Sequence, residues 1–417
     1  MKRRQFLAAA AAAALPAGSA AGGGAADKAR VVVVGGGFAG ASCARALKRA
    51  NASLDVTLVE SAPVFTACPR SNGVVAGLRD LGAQQFKYDA LGREGVQVVR
   101  GTATAIHARA VRVADADLAY DRLVLAPGVS MRWNALRGYD EAAAARMPHA
   151  WQAGEQTLLL RKQLEAMPDG GVVVIAVPAY PYRCPTAPYE RASLIAHYLK
   201  ARKPRSKVLI LDAKDGFTQQ RLFEEAWQAL YPGLIEWVAL SQGGGAISVD
   251  AASNTVETDF DRHRAAVANV IPPQKAGAIA EAAGVADSTG WCPIEAATFE
   301  SKLLPRVHVI GDAAIAGALP KSGFAASSQG KACALAVASL LADRAPPAPA
   351  MVNACYSELA PDYGISLSSR YHVMGGQILE VAGSLRSSEL EAPRAERARN
   401  AEQGAASFKE VTAEMFG

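Results

Sequence analysis

Cys184 stands in a setting that suggests chemistry. It lies in PAYPYRCPTAPYERA (residues 178–192), directly after the β-forming run GGVVVIAV (170–177). A dinucleotide-binding turn needs glycines and converging backbone N–H groups, whereas proline has no N–H to offer a phosphate. The stretch contains four prolines, which also stiffen the backbone around a cysteine at the carboxyl end of a strand, where α/β folds place their chemistry. We therefore predict a functional cysteine here and no NAD(P)H site.

The other five cysteines are Cys43, Cys68, Cys292, Cys333 and Cys355. Their wide spacing includes no CxxC pair, which excludes a zinc ribbon and a small disulfide scaffold, and we expect no metal site. Cys43 follows a glycine loop and Cys333 stands in an apolar helix, so both are interpreted as small core residues. For Cys292, in GWCPIE, we favour a structural role.

Composition and charge narrow the functional classes. The chain has 417 residues, 50% hydrophobic and 20% charged, which is enough for two or three domains with their own cores. No segment reaches the roughly 18 apolar residues of a membrane-spanning helix. The net charge is +5, and Lys2, Arg3 and Arg4 supply three of these charges, which leaves +2 without them. This balance, with no basic stripe, argues against a nucleic-acid partner.

Residues 1–26 are predicted to be a twin-arginine signal peptide. MKRRQFL places Arg3-Arg4 before Phe6-Leu7, and a mostly alanine stretch and the small-residue region AGSAAGGGAA follow. The alternative is a disordered basic start. Twin-arginine export carries folded proteins, so we expect a periplasmic protein that is loaded with its cofactor before export, in a compartment where cysteines can stay oxidised.

A dinucleotide fingerprint opens the mature chain. In ARVVVVGGGFAGASCARALKRA (29–50) a buried strand runs into Gly35, Gly37 and Gly40 and then into a helix. Twenty residues after Gly40, the strand DVTLVE ends at Glu60, which would accept a hydrogen bond from a ribose hydroxyl. Strand, glycines, helix, second strand and acid together predict a bound dinucleotide.

Two later segments favour FAD over NAD. YDRLVLAPG (120–128) is a strand that closes on a turn at Gly128, and RVHVIGDAA (306–314) is a strand that ends at Gly311-Asp312. In flavoproteins with two dinucleotide-binding folds, an aspartate at this place holds the ribityl chain; the alternative for Asp312 is a helix cap. The helix predicted to start near Lys321 would point its N-terminus at the negative edge of a reduced flavin.

The fold class is predicted as α/β, with two Rossmann-like domains and a C-terminal α+β interface domain. The first domain binds FAD in two parts, residues 27–146 and 273–345, and the second, residues 147–272, has a degenerate NAD site. A proline-rich linker, DRAPPAPAM, precedes the C-terminal domain, residues 346–417. There, GISLSSRYHV and QILEVAGS alternate like strands joined near Gly375-Gly376, and a polar, helical tail without a marked apolar face follows from Ser387.

Longer motifs resemble the flavoprotein subunit of flavocytochrome c sulfide dehydrogenase, which is related to sulfide:quinone reductases and to the pyridine nucleotide-disulfide oxidoreductases. The resemblance covers essentially the whole mature chain. It is carried by FTACPRSN, PYRCPTAPYERASLIAHYLK, VANVIPPQKAG, TGWCP, FESK, HVIGDA, PKSGFAASSQGK, NACYS and TAEMFG.

The resemblance implies an activity and residue roles. Cys184 and Cys355 match the pair that forms a redox-active disulfide over the flavin ring, and Cys68 matches the cysteine that binds the FAD 8α-methyl group as a thioether. The implied reaction is sulfide oxidation, with electrons passed through FAD to a c-type cytochrome subunit. The stretch CPTAP departs from the family's usual Cys-Pro-Pro-Gly-Pro at Thr186 and Ala187.

Non-catalytic interpretations remain open for these cysteines. Cys68 could be a buried free cysteine, although attachment to FAD would remove a thiol that is a liability in an oxidising compartment. Cys184 and Cys355 could form a purely structural disulfide. Glu190 and Lys321 are candidate local charges.

Three other functions are alternatives to sulfide dehydrogenation with a cytochrome acceptor. A sulfide:quinone reductase on a membrane surface would need an apolar amphipathic tail, and residues 387–417 are too polar for that. A non-catalytic electron-transfer subunit would carry FAD without cysteine chemistry. An NAD(P)H-dependent reductase would need the phosphate turn that the prolines replace.

Overall fold

Two parallel β-sheets organise residues 28–417, the part of the chain that the computed structural model describes. The predicted export signal, residues 1–26, lies outside the described residues. The central strands Arg30–Val34 and Val172–Val177 are runs of valine, isoleucine and alanine that are buried almost throughout. Such runs form strands covered on both faces, which is typical of parallel sheets. The α/β fold class is therefore confirmed.

The first sheet has five parallel strands. Their spatial order is Val307–Val309, Arg122–Leu125, Arg30–Val34, Asp55–Glu60 and Gln97–Arg100. Val307–Val309, the last of these five strands in the sequence, thus completes a sheet whose first strand lies near the N-terminus. Because the carboxyl ends of parallel strands share one edge, Glu60, which ends its strand, lies on the same side of this sheet as Gly128 and Asp312, which follow theirs.

The second sheet has four parallel strands and lies in the middle of the sequence. In spatial order they are Ile235–Val238, Lys207–Asp212, Val172–Val177 and Val267–Val270. Its helices are Glu155–Ala166, Ala187–Arg202 and Gln220–Leu230. The sequence YERASLIAHYLKAR thus forms most of the helix that starts three residues after Cys184.

Two long helices cover the first sheet. Phe38–Ala50 follows the glycine turn directly, and Gly323–Leu341 packs along it through small residues. Cys43 and Cys333 face each other in this contact and are fully buried, as expected for core residues. Smaller antiparallel sheets flank the two units, with strands Ala103–His107, Ala110–Val113 and Ala116–Ala119 in one and Ala246–Asp250, Thr255–Thr258 and Arg262–Arg264 in the other.

The C-terminal part is an antiparallel sheet covered by one helix. Strands Ala350–Ala360, Tyr363–Met374 and Gln377–Glu380 pair in chain order, and the second and third meet at the expected turn, Gly375-Gly376. The strand Ala350–Ala360 is not predicted by the sequence analysis, because its small and polar residues hide the alternation of a half-buried strand.

The last helix, Arg394–Phe416, confirms the predicted helical tail but has a buried end. Val411, Met415 and Phe416 pack into the first unit, where the Phe416 ring centroid lies 5.4 Å from those of both Phe65 and Phe86. The expectation of no apolar face is therefore wrong for the last turns. No helix among residues 28–417 is long and apolar enough to cross a membrane.

Candidate active site

The glycine turn has the geometry that a dinucleotide requires. Gly35 has a φ of +100°, a value that disfavours other residues, and a Cβ on Gly40 would lie 1.8 Å from the Gly35 carbonyl oxygen. Glu60 ends its strand beside the turn, and its carboxylate accepts the N–H of Gly36 at 2.7 Å and the N–H of Ala62 at 2.8 Å. The turn, the following helix and an acid are thus assembled at one strand edge, as dinucleotide binding needs.

Tyr88 also faces this turn and is a residue that the sequence analysis misses. Its hydroxyl is buried and has no hydrogen-bond partner among the described residues. A Cβ on Gly36 would lie 2.6 Å from that hydroxyl, so the tyrosine closes on the turn. Burial, with the nearby Glu60 carboxylate, raises the pKa of Tyr88, which keeps it a neutral donor. No local sequence signal marks it.

Asp312 presents an unpaired oxygen at the same edge. It is 9% exposed, and its Oδ1 has no hydrogen-bond partner among the described residues. Burial raises its pKa, while Arg183 and Lys321 oppose that shift. The helix Gly323–Leu341 is capped by Ser322, whose hydroxyl accepts the N–H of Ala325 at 3.1 Å. The structure therefore leaves Asp312 free for a ligand and assigns it no cap in this helix.

Gly128 and Lys321 connect the site to the rest of the chain. The Gly128 carbonyl accepts the N–H of Gly277 at 3.0 Å. The Lys321 ammonium donates to the carbonyls of Asp312 and Ala314, at 2.7 and 2.9 Å, and lies 4.0 Å from the Trp291 ring centroid. Burial lowers the pKa of Lys321 to about 8. The Lys321 ammonium is thus bound by groups of the protein itself, and the Lys321 main-chain carbonyl accepts the N–H of Cys184 at 2.7 Å.

The structure places Cys184 and Cys355 as half-buried free thiols on neighbouring segments. Cys184 follows the strand Val172–Val177 with a φ of +57°, and Cys355 lies in the middle of the strand Ala350–Ala360. A hydrogen bond of 3.3 Å between Ser357 and Thr186 ties the two segments together. Burial and then the charge of Cys355 raise the pKa of Cys184. The two cysteines therefore lie on segments that contact each other.

Their surroundings distinguish the two thiols. The amide of Asn353 donates to the Cys355 sulfur at 3.4 Å, and the Ser322 hydroxyl donates to Asn353 at 2.6 Å. Burial raises the pKa of Cys355, but hydrogen bonds from Asn353 and Ser322 oppose the shift. At Cys184, burial is reinforced by Cys355 and Glu190, and Arg183 opposes them. A thiolate is therefore better supported at Cys355.

Glu190 is a buried acid in the first turn of the helix after Cys184. It is 9% exposed, and Asn72 donates to its Oε1 at 3.0 Å. Burial raises its pKa to about 7, opposed by Asn72 and by the charges of Arg70 and Arg191 and assisted by that of Glu358. A carboxyl group that titrates near neutrality and interacts with both thiols is suited to accept their protons. Asn72, which fixes it, is not singled out by the sequence analysis.

Replacing Glu190 with glutamine is expected to alter the pH dependence of stability. The folded protein keeps the Glu190 proton up to about pH 7, whereas the unfolded chain loses it near 4.5, so this group's contribution is complete below 4.5 and is lost as pH rises through 7. Glutamine stays neutral. Relative to the parent protein, Glu190→Gln should therefore gain on the order of 2–3 kcal/mol in unfolding free energy between pH 5 and pH 8.

Urea denaturation at the two pH values measures this change. The exposed residue Glu402 on the last helix provides the control, because Glu402→Gln should follow the parent protein at both values. A constant difference between Glu190→Gln and the parent across this range would contradict the prediction.

Cys68 lies just before the short helix Ser71–Val75. Its thiol is half-buried and donates to the main-chain oxygen of Trp151 at 3.8 Å. The Arg183 guanidinium donates to the same oxygen. Cys68 therefore joins Cys184 and Asp312 around Arg183, whose pKa is raised, against burial, by these three residues. Cys292 is fully buried in the core of the first unit, where it pairs with Ala314, whose carbonyl accepts from Lys321.

The second parallel unit lacks a free acid for a ribose. Asp212 ends its strand as Glu60 does, but it is fully buried, and its carboxylate accepts the Tyr189 hydroxyl at 2.6 Å, the Trp237 indole N–H at 2.9 Å and the Lys214 ammonium. Lys214 also lies about 5 Å from the rings of Tyr180 and Tyr182. The Asp212 carboxylate is thus engaged by groups of the protein and is not available to a ribose. The prolines at the turn also disfavour a bound nucleotide.

A cavity of about 650 Å³ adjoins the cysteine segment. Its lining is mostly apolar and includes Arg132, Tyr180, Pro181, Gln274, Trp291 and Lys321. Because Gln274 accepts the Arg183 N–H at 3.0 Å and Lys321 accepts the Cys184 N–H, the cavity lies against the segment that carries Cys184.

Three family models match the chain. Residues 157–272 match the central region of the flavoprotein chain of sulfide dehydrogenase (flavocytochrome c), and residues 347–416 match the flavin-binding region of flavocytochrome c sulphide dehydrogenase. Residues 29–175 match the pyridine nucleotide-disulphide oxidoreductases.

Similar proteins have low sequence identity and a shared fold. The mitochondrial sulfide:quinone oxidoreductase of Mus musculus is 22% identical over 297 residues, 66% of this chain but 63% of that relative, which is less than two thirds of its length. The sulfide:quinone oxidoreductase of Aquifex aeolicus has a TM-score of 0.73 at 17% identity, covering 93% of this chain and 92% of its own. The NAD-dependent persulfide reductase of A. fulgidus has a TM-score of 0.63 at 15% identity, covering 93% of this chain and 77% of its own. These likenesses confirm the Rossmann-like architecture.

Proposed function

We propose that this chain oxidises hydrosulfide at Cys184 and Cys355 and passes the electrons through FAD to a c-type cytochrome subunit. The chain belongs to the flavoprotein family of flavocytochrome c sulfide dehydrogenase and is a flavin-dependent oxidoreductase of the sulfide-oxidising type. The family resemblance seen in the sequence motifs is confirmed by the two matching models. One observation carries the proposal: two cysteines from distant parts of the chain converge on the Lys321-Ser322 segment. The Cys184 N–H donates to the Lys321 carbonyl, and Ser322 donates to Asn353, whose amide contacts the Cys355 sulfur.

The residues of the first unit fit FAD. Gly35, Gly37 and Gly40 would receive the pyrophosphate at the helix N-terminus, Glu60 the ribose and Asp312 the ribityl chain, while Gly128 and the Lys321 segment border the ring. The unpaired Asp312 oxygen and Tyr88 hydroxyl are the buried polar atoms that such a ligand would satisfy. When bound, FAD supplies an acceptor that takes two electrons and releases them singly. We propose that Cys68 tethers it through a thioether.

The cysteines act in their oxidised, bonded form in this proposal. Hydrosulfide attacks Cys184, the bond between the two sulfurs breaks, and a persulfide on Cys184 and a thiolate on Cys355 result. Cys355 is the leaving group because Asn353 and Ser322 support its thiolate. When the sulfane sulfur departs and the disulfide re-forms, one proton and two electrons are released. Glu190 takes the proton, and the electrons leave to the cofactor.

The C-terminal helix supports a cytochrome over a membrane quinone as the electron acceptor. A quinone reductase on a membrane surface needs an apolar helix face that can enter lipid. In this chain the apolar end of the last helix, Val411 to Phe416, is buried against Phe65 and Phe86 and is therefore not available to lipid. We propose that the protein works in the periplasm, after export in folded form through the twin-arginine signal of residues 1–26.

An acceptor assay tests this function. The purified flavoprotein is mixed anaerobically with sulfide and either a soluble c-type cytochrome or a short-chain ubiquinone. We expect sulfide-dependent reduction of the haem and no protein-dependent reduction of the quinone. Reduction of the quinone without reduction of the cytochrome would overturn the proposed acceptor, and NADH-driven flavin reduction at enzymatic rates would overturn the proposed donor.

A further inference from the structure

Arg183 and Cys68 converge on one backbone oxygen. The Arg183 guanidinium and the Cys68 thiol both donate to the main-chain carbonyl of Trp151, so the positive group and the sulfur lie side by side. The Arg183 N–H donates to Gln274 at 3.0 Å, which fixes the backbone that carries this side chain. Residues far apart in sequence are thereby held in a definite mutual position.

The side chain of Arg183 has hydrogen-bonding capacity to spare. Within residues 28–417 it donates one hydrogen bond, to Trp151, although a guanidinium has five N–H groups. Arg191, the other cation that faces Cys68, is different: its N–H groups donate to Asn72, His149, Asn269 and Ala150. Arg191 is therefore committed to the fold, and Arg183 is the cation that can respond to a charge on Cys68.

Two unpaired buried groups mark this place as a ligand site. The indole N–H of Trp151, a residue 4% exposed, has no partner among the described residues, and neither has Oδ1 of Asp312, which also interacts with Arg183. Buried polar atoms of folded proteins are nearly always hydrogen-bonded, so their pairing awaits a bound molecule.

We infer that Arg183 is the positioning residue for covalent attachment of the flavin to Cys68: its guanidinium places a positive charge beside the sulfur and, through the Trp151 carbonyl, holds the sulfur in place to attack. This inference rests on the proposed function, which supplies FAD and the tether. Sulfide oxidation at Cys184 does not require it.

The attachment balances with dioxygen as the oxidant. The Cys68 sulfur loses its proton and forms a bond to the 8α carbon of the flavin, whose methyl group loses one hydrogen as a proton. Two electrons and two protons remain to be removed, and dioxygen takes them to give hydrogen peroxide, which restores the oxidised cofactor. The chain contributes the sulfur nucleophile and the positive charge beside it.

Two substitutions separate the charge from the hydrogen bond. Arg183→Lys keeps the positive charge, whereas Arg183→Gln removes it but retains an N–H donor for the Trp151 carbonyl. Arg205, in an exposed ion pair with Asp169, provides the control Arg205→Gln. Each protein, prepared without flavin, is incubated with FAD in air, precipitated with acid at intervals and examined by intact mass for flavin that stays with the polypeptide.

We expect Arg183→Gln to form the tether at least tenfold more slowly than the parent and Arg183→Lys to be intermediate, with Arg205→Gln unchanged. Partial rescue by Arg183→Lys is the sign of a role for the charge, because a purely structural role of the hydrogen bond to Trp151 would be served at least as well by Arg183→Gln. Attachment by Arg183→Gln at the parent rate, or attachment by Arg183→Lys no faster than by Arg183→Gln, would overturn the inference alone. A parent protein without acid-stable flavin would instead overturn the proposed tether and, with it, the role of Arg183.

Discussion

Replacing Cys184 with serine is expected to slow sulfide-driven reduction of the bound flavin by at least about a hundredfold. Serine cannot form the disulfide that hydrosulfide attacks, and its hydroxyl is a far poorer nucleophile and leaving group than a thiol. Stopped-flow mixing with sulfide, followed at the flavin absorbance, measures this rate. Cys355→Ser should lose the reaction to a similar extent because the two sulfurs act as one unit.

The control for the cysteine variants is Cys333→Ala, in the core contact between the two long helices, which should keep the parent rate. FAD content should stay the same in Cys184→Ser, since Cys184 is not among the residues that would hold the nucleotide. Bleaching by sulfide at the parent rate in both serine variants would show that the chain carries FAD without cysteine chemistry, as a non-catalytic electron-transfer subunit does.

Arg191→Leu is expected to destabilise the folded protein by about 3–5 kcal/mol. Arg191 is 2% exposed and donates to the side chains of Asn72 and Asn269 and to the carbonyls of His149 and Ala150, at 2.6 to 3.0 Å. Leucine would withdraw the N–H donors from these four buried acceptors, although Asn72 and Asn269 would keep the hydrogen bonds that their own amides donate. Because the arginine joins both parallel units, the loss should lower the urea midpoint of the whole protein.

A matched surface change shows whether burial is responsible. Arg205 forms an exposed ion pair with Asp169, and Arg205→Leu should change the unfolding free energy by less than about 1 kcal/mol. Equal urea midpoints for Arg191→Leu and the parent protein would contradict the assignment of Arg191 to the fold and would reopen its role toward Cys68.

The features that sequence predicts well are local. The glycine turn needs only Gly35, Gly37 and Gly40 at fixed spacing after a buried strand, and the structure has the turn there, with Glu60 beside it. The strand that leads to Asp312 is equally plain. In these cases the residue type and its neighbours in sequence determine the backbone, so the pattern carries the geometry.

The features that sequence does not predict depend on contacts between distant segments. Asn72 fixes Glu190 across 118 residues, and Trp151 meets Cys68 across 83, although neither contact leaves a mark on the sequence nearby. The side-chain direction of Lys321 is also set at a distance, by Trp291. Burial of Phe416 depends on Phe65 and Phe86, which are distant in sequence, so the packing of the helix end is not evident from the polar tail sequence.

The internal partners of Asp212 have a consequence for protein engineering and for evolution. Restoring glycines at the 178–188 turn would still leave a carboxylate engaged by Tyr189, Trp237 and Lys214. Releasing it requires several simultaneous replacements inside a core, and each single step would strand a buried polar group. Single substitutions are therefore not expected to give this unit a nicotinamide site.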